Sequence, residues 1–127
     1  MKITLSESLN YVPASHEDPK NPGVLKKVLL NKGDICPGEV QMVNWAFLDI
    51  GKSFQLHYHQ DMDEVFVFIA GTVEAEINGN KFTLSKGDSI LISANEQHKM
   101  TNIGEIPVEY IVFGVSKGQN GKTIVLE

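Results

Sequence analysis

The sequence contains no arginine, and all of its basic residues are lysines. Its formal net charge is −5 at pH 7. Phosphate neutralisation and guanine readout both favour basic surfaces, so this chain is not expected to bind nucleic acid. The same absence removes the bidentate guanidinium clamp that holds carboxylates and phosphates in many proteins. Lysine could still supply a single positive charge to an anionic ligand.

Cysteine and long apolar runs are also scarce. Cys36 is the only cysteine, which excludes an intrachain disulfide, and its turn-like surroundings (GDICPGE) predict a half-buried residue and not a nucleophile. No segment approaches the roughly 18 apolar residues of a membrane-spanning helix, and the N-terminal segment lacks the apolar stretch of a signal peptide. We therefore expect a cytoplasmic protein that does not associate with membranes.

The pattern from residue 24 onward predicts an all-β protein. Short runs such as VFVFIAG, TVEAEI and SILIS are separated by turn sequences, which is typical of a β-sandwich or barrel. Asn78-Gly79 favours a primed turn, so residues 72–77 and 81–84 should pair as a hairpin. We expect residues 1–23 to form an N-terminal arm, with His16 at its surface, and residues 24–127 to form a single barrel domain.

Two histidines occupy one face of a strand that should belong to the core. Alternation places Gln55, His57 and His59 on the same face and Phe54 on the opposite one. A buried imidazole without a partner costs roughly 1–3 kcal/mol. Glu64 follows five residues after His59, and hydrogen bonds among these groups could satisfy them. A divalent metal would satisfy them better, because neutral imidazoles and one carboxylate suit its charge.

Two stretches resemble the signature motifs of the cupins. Residues 51–71 read G-x5-H-x-H-x4-E-x6-G, which matches the first motif of the family position for position. Residues 87–102 read G-x5-S-x-N-x2-H-x3-N and resemble the second motif. Here Ser93 stands where the family usually has proline, and Asn95 where it usually has glycine. Neither change removes a ligand, and asparagine tolerates the left-handed backbone conformation that glycine usually supplies.

The resemblance implies a double-stranded β-helix, a conical jelly-roll barrel of two antiparallel sheets. It also implies a divalent metal bound by three histidines and one glutamate, which correspond here to His57, His59, Glu64 and His98. Asp63 is the nearest competitor for the carboxylate position, but glutamate is the residue type that the motif specifies. Three nitrogens and one oxygen leave two open octahedral positions, which suits Mn²⁺, Fe²⁺, Ni²⁺ or Co²⁺; Zn²⁺ would also fit.

The resemblance leaves several functions open, because a fold does not set a function. Cupins with this ligand set include dioxygenases, decarboxylases, isomerases and epimerases, as well as sugar-sensing and storage proteins. We expect a small metal-dependent enzyme of the oxygenase, isomerase or decarboxylase type that acts on a small molecule in the barrel. The alternatives are a non-catalytic module that binds or senses a small molecule, and a structural metal in a dimeric scaffold.

Further residues are predicted around the metal and at a subunit interface. The candidates for orienting a ligand or lining the pocket are Gln55, Phe66, Phe68 and Met100. Lys26 and Lys27 are expected on a solvated face. Two strand faces carry more apolar surface than one small barrel obviously buries, namely Val65/Val67/Ile69 and Val108/Tyr110/Val112. Because compact cupins are often dimers, the resemblance adds to the expectation of a homodimer through a sheet face.

Overall fold

The computed structural model describes residues 2, 4–116, 118 and 122–127. These residues form eleven β-strands and two short 3₁₀ turns, at Ser6–Ser8 and Lys32–Asp34. In chain order the strands are β1 (Val12–Pro13), β2 (Val24–Asn31), β3 (Val40–Leu48), β4 (His57–His59), β5 (Met62–Ala70), β6 (Thr72–Ile77), β7 (Asn80–Ser85), β8 (Ser89–Ile92), β9 (His98–Asn102), β10 (Val108–Ser116) and β11 (Thr123–Val125). No helix in this part of the chain has the length and apolar character needed to cross a membrane.

The strands form two antiparallel sheets. The larger sheet has the order β1-β2-β3-β10-β5-β8, and the smaller sheet has the order β11-β4-β9-β6-β7. From β3 to β6, and again from β7 to β11, each step along the chain passes from one sheet to the other. This alternation is the double-stranded β-helix that the sequence motifs imply, and the predicted all-β jelly-roll fold is confirmed.

The predicted hairpin is present. Strands β6 and β7 pair from Thr72 opposite Ser85 to Ile77 opposite Asn80. The turn between them has positive φ at both central residues, 49° at Asn78 and 85° at Gly79. Two consecutive positive φ angles define the primed turn that suits the right-handed twist of the flanking strands. Local turn chemistry therefore fixes the register of this edge of the smaller sheet.

The apolar core lies between the sheets, and it corrects one predicted interface. On β10, Val108, Tyr110 and Val112 are 0%, 3% and 7% exposed and belong to the core cluster. The half-buried residues of β10 are the intervening ones, including Ile111 and Phe113. The expectation that Val108, Tyr110 and Val112 form an outer apolar face is therefore wrong. Both faces of β10 are apolar in sequence, so alternation alone could not identify the inner one.

Two further expectations are corrected. Phe54 is only 2% exposed and packs with the histidines, its ring centroid 5.3 Å from that of His57 and 6.0 Å from that of His98. Strand β4 begins at His57, so the alternation that set Phe54 on the opposite face does not extend back to it. Cys36 is exposed and not half-buried.

The N-terminal arm is fastened to the barrel by one buried carboxylate. Strand β1 pairs with β2, and Glu17, which follows it, is 7% exposed. Its Oε1 accepts hydrogen bonds from the backbone N–H groups of Gly23, at 2.6 Å, and Val24, at 3.1 Å. Its Oε2 accepts one from the N–H of Gln55, at 2.9 Å. Burial would raise the pKa of Glu17, but the His16 and backbone hydrogen bonds outweigh it and lower the pKa.

We expect Glu17→Ala to destabilise the protein by about 3 kcal/mol, because it leaves three largely buried backbone donors without an acceptor. Glu17→Gln should cost less, since one acceptor oxygen remains. The exposed Glu7→Ala serves as the control and should change the free energy of unfolding by less than about 0.5 kcal/mol. Urea unfolding of the three variants measures these differences. If Glu17→Ala is as stable as the control, the Glu17 carboxylate does not hold the arm on the barrel.

Candidate metal centre

Four side chains from both sheets meet inside the barrel. His57 and His59 lie on β4, and His98 begins β9, where it pairs directly with His57. Glu64 reaches the same point from β5 in the opposite sheet. All four are buried, with exposures of 1%, 5%, 0% and 7% in that order. One potential ligand atom from each lies within 4.8 Å of all the others. The sheets thus converge on three imidazoles and a carboxylate.

Backbone carbonyls fix the orientation of two of the rings. His57 Nδ1 lies 2.6 Å from the carbonyl oxygen of Gln55, and His98 Nδ1 lies 2.9 Å from that of Glu96. A carbonyl can only accept, so each Nδ1 carries the proton and donates it. In the neutral ring, Nε2 is then left with a free lone pair. This is the tautomer that a metal ligand requires.

The third ring is held by a side chain. His59 Nδ1 lies 2.9 Å from Thr123 Oγ1 on β11, and its Nε2 lies 2.7 Å from Glu64 Oε1. His98 Nε2 is 3.2 Å from the same oxygen, but not in hydrogen-bonding geometry. It is fully buried and finds no hydrogen-bond partner among the described residues. An unpaired lone pair inside a ring of potential ligands is an unusual arrangement in a folded protein.

The electrostatics of the cluster favour the ionisation states of a metal site. Burial, together with neighbouring His16 and His98, lowers the pKa of His57 to about 3, so this ring is neutral. Burial by itself would raise the pKa of Glu64. The His59 and His98 imidazoles outweigh it and hold the pKa well below its usual range, so Glu64 is an anion. Neutral imidazole and ionised carboxylate are the forms that bind a cation.

The donor set fits a divalent transition metal. Glu64 Oε1 lies 2.7 Å from His59 Nε2 and 3.2 Å from His98 Nε2. Adjacent ligands on one ion with bonds of about 2.1 Å are separated by roughly 3 Å, so these atoms can share an ion with little movement. The buried His57/His59/Glu64/His98 cluster therefore fits metal binding. The atoms themselves do not distinguish between the candidate metals.

The turn before His98 is well held despite its departures from the family motif. Asn95 takes φ of 70°, so it adopts the left-handed conformation that glycine would otherwise supply. Its backbone N–H donates to the carbonyl of His59 at 2.7 Å. The N–H of Ser93 donates to Glu96 Oε1, also at 2.7 Å. These bonds tie the turn to β4 and take over the constraint that proline would provide.

A cavity of about 430 Å³ opens beside the cluster. Its described lining includes His57, His59, Glu64 and Phe66, but not Phe68 or Met100. Those last two residues are 1% and 0% exposed and belong to the hydrophobic core. A small molecule in this cavity would lie directly against three of the four cluster residues.

Gln55 has a role that differs from the one expected, and the competing carboxylate of Asp63 does not join the cluster. Gln55 is linked to the cluster through its backbone, whose carbonyl holds His57 and whose N–H binds Glu17. Asp63 lies outside the cluster, because its Oδ1 accepts a hydrogen bond from the N–H of Ala94 at 2.8 Å.

Sequence reasoning missed His16 and Lys26. His16, expected at the surface, has a side chain that is 17% exposed, and its ring stacks on His57 with centroids 4.0 Å apart. Its Nδ1 lies 3.3 Å from Glu17 Oε2. Lys26 lines the cavity instead of lying on a solvated face. The position of His16 is set by contacts between the N-terminal arm and the barrel. Such contacts join residues that are far apart in the sequence, so strand periodicity does not predict them.

Comparison with known proteins agrees with this geometry. An uncharacterized protein of Methanocaldococcus jannaschii is 28% identical over 127 residues, which is 100% of this chain and 98% of the relative. A predicted oxalate decarboxylase from Thermotoga maritima superimposes with a TM-score of 0.80 at 20% identity, covering 91% of this chain and 100% of that one. The polyketide cyclase RemF from Streptomyces resistomycificus gives a TM-score of 0.80 at 12% identity, covering 100% and 86%.

These structural likenesses, all below 25% identity, establish the fold and not the activity. The family model for the cupin domain matches residues 45–114, which is more than half of the chain. That region contains the four cluster residues and strands β4 to β9. The chain therefore belongs to the cupin family.

Proposed function

We propose that the cluster binds one divalent transition metal through His57, His59, Glu64 and His98. The observation that carries this proposal is the buried Nε2 of His98, which lies beside the Glu64 carboxylate and has no hydrogen-bond partner among the described residues. Leaving it unpaired costs free energy, and a cation would recover that cost. The candidate ions are Mn²⁺, Fe²⁺, Ni²⁺, Co²⁺ and Zn²⁺.

We further propose that the protein is a small metal-dependent enzyme of the oxygenase, isomerase or decarboxylase type. The ion would supply Lewis-acid or O₂ chemistry. The protein would orient the imidazoles, keep Glu64 ionised and hold the substrate in the adjacent cavity. Structural relatives described as a predicted oxalate decarboxylase and a polyketide cyclase support this class in general terms. The alternative is a non-catalytic module that binds or senses a small molecule, which the same cavity would serve.

The first test is elemental analysis of protein purified without an affinity tag. We expect about one equivalent of a transition metal in the wild type and none in the triple variant His57→Ala, His59→Ala, His98→Ala. The matched control is His16→Ala, which removes a histidine from the cavity wall and not from the cluster. It should keep its metal. Wild-type protein that holds no metal after reconstitution with each candidate ion would refute the proposal.

Thr123→Val should lower metal affinity by about tenfold to a hundredfold. The change removes the hydroxyl that lies 2.9 Å from His59 Nδ1, and such supporting groups have effects of this size. Competition with a chromogenic chelator measures the affinity. Thr83→Val, at an exposed position of β7, is the control and should bind as the wild type does. Equal affinities for the two variants would show that Thr123 does not support the site.

We also propose that the protein forms a homodimer through the outer face of the larger sheet. Half-buried apolar side chains cover this face on three adjacent strands, including Trp45, Val67 and Ile111. Light scattering at micromolar concentration should report a dimer, and Val67→Lys should dissociate it. Phe82→Lys, at an exposed position on β7 at the edge of the smaller sheet, should leave it intact. A monomeric wild type would contradict this assembly.

The cytoplasmic location of the protein is also a prediction from the sequence.

A further inference from the structure

Two buried asparagines differ in the hydrogen bonding of their side-chain amides. Asn102 is 3% exposed, and its amide makes three hydrogen bonds: from Nδ2 to the carbonyls of Leu48 and Ile106, and to Oδ1 from the N–H of Gly104. Asn44 is 6% exposed, yet its amide bonds to none of the described residues, and its Oδ1 is shut off from solvent. Asn44 also lines the cavity, so Nδ2 is the atom that a ligand would meet.

Two other hydrogen-bond donors lie close to Asn44. Ala46, two residues further along β3, pairs with Lys26 on β2 and with Tyr110 on β10. All four residues line the cavity. Ala46 has a small side chain, so it leaves open the space that the other three surround. We call Lys26, Asn44 and Tyr110 the donor trio.

Each member of the donor trio has N–H or O–H groups to spare. Tyr110 is 3% exposed, and its hydroxyl makes no hydrogen bond to the described residues. Burial and the nearby Glu64 and Glu17 carboxylates raise its pKa far above the usual value, so it keeps its proton. Lys26 Nζ donates to Ser15 Oγ at 2.9 Å, which uses one of its three N–H groups.

We propose that the donor trio binds a carboxylate group of the ligand, as a second binding point in the cavity beside the metal centre. The substrate class is then a small acid with one oxygen function at the ion and a carboxylate at the donor trio. This assignment rests on the proposed metal function. Three donors, one of them cationic, suit an anion. An apolar ligand would leave the Asn44 amide and the Tyr110 hydroxyl unpaired.

The neighbouring carboxylate of Glu17 does not already neutralise the donor trio. Its oxygens accept from three backbone N–H groups and lie beside His16 Nδ1. Burial also lowers the pKa of Lys26, so its charge is partly desolvated and gains from a bound anion. In a chain without arginine, this combination of lysine, amide and phenol provides what a guanidinium would otherwise supply.

The first test needs no metal. In Asn44→Leu an unpaired buried amide is replaced by an apolar group of similar size, so the melting temperature should stay constant or rise by up to about 5 °C. The matched control is Asn102→Leu, which removes three hydrogen bonds and should lower the melting temperature by about 5 °C or more. A fall in Asn44→Leu as large as that in Asn102→Leu would show that Asn44 serves the fold, and would overturn the proposal.

The second test measures ligand binding to protein loaded with one equivalent of Co²⁺. The probes are malate, 2-hydroxyglutarate and 2-hydroxyadipate, each compared by calorimetry with the 2-hydroxy monoacid of equal carbon number. The shared 2-hydroxycarboxylate end binds the metal, so the ratio of affinities reports the distal carboxylate. We expect at least one diacid to bind at least about tenfold more tightly than its monoacid, because one charge-assisted hydrogen bond increases affinity by about this factor.

Lys26→Met, Asn44→Leu and Tyr110→Phe should each reduce that ratio to about threefold or less. Monoacid affinity and metal content should stay at the wild-type level in all three. Absence of any diacid preference in the wild type, or a preference that survives in all three variants, would overturn the proposal. Failure of the metal function is distinguishable, because metal content is measured in the same samples and the unfolding comparison is made without metal.

Discussion

The cluster of His57, His59, Glu64 and His98 depends on the hydrogen bonds that hold the three imidazoles by their outer nitrogens. Carbonyls of Gln55 and Glu96 hold His57 and His98, and the Thr123 hydroxyl lies at His59. A ring that donates from Nδ1 presents a bare Nε2 on its other side. For His57 and His98, these bonds therefore set both the position of the ring and the nitrogen that carries the proton, whereas at His59 the Thr123 hydroxyl sets the position of the ring. Without these hydrogen bonds the imidazole rings could rotate, and their nitrogens would not be directed at a common point.

The barrel supplies the rest of the constraint. His57, His59 and His98 come from the smaller sheet and Glu64 from the larger one, so the cluster forms only when the two sheets pack face to face. The same packing leaves a cavity of about 430 Å³ with the cluster on one side. The donor trio lies on the wall formed by β2, β3 and β10. At these two places His98 Nε2 and Asn44 Oδ1 have no hydrogen-bond partner in the described part of the chain, which costs the fold free energy.

Local patterns in the sequence predicted much of this structure. The Asn78-Gly79 turn predicted the hairpin, and alternation separates the predicted face Val65/Val67/Ile69 from the buried residues Glu64, Phe66 and Phe68 of β5. The hairpin and the faces of β5 depend on turn geometry and strand periodicity, which act within a few residues, so they could be inferred without knowing which strands become neighbours. The grouping of His57, His59, Glu64 and His98 was implied by the resemblance to the two cupin motifs, because local periodicity does not show that β9 lies beside β4.

The features that the sequence did not predict depend on long-range packing. Tyr110 lies on a strand that is apolar on both faces, so its inward direction depends on which side meets the second sheet. His16 reaches His57 because Glu17 fastens the arm across the barrel. Asn44 did leave a signal, because it is a polar residue that alternates with Met42, Ala46 and Leu48 along β3. Its lack of a partner could be seen only once its neighbours were in place.

The most direct test of the metal centre is the X-ray absorption spectrum of the metal-loaded protein. The fine structure reports the number and type of atoms bound to the ion, and imidazole rings add a distinctive scattering from their outer atoms. We predict three imidazole nitrogens, with the remaining ligands oxygen, at about 2.0–2.2 Å. A first shell with fewer than three imidazoles, or one that contains sulfur, would contradict the assignment of His57, His59, Glu64 and His98 as the ligands.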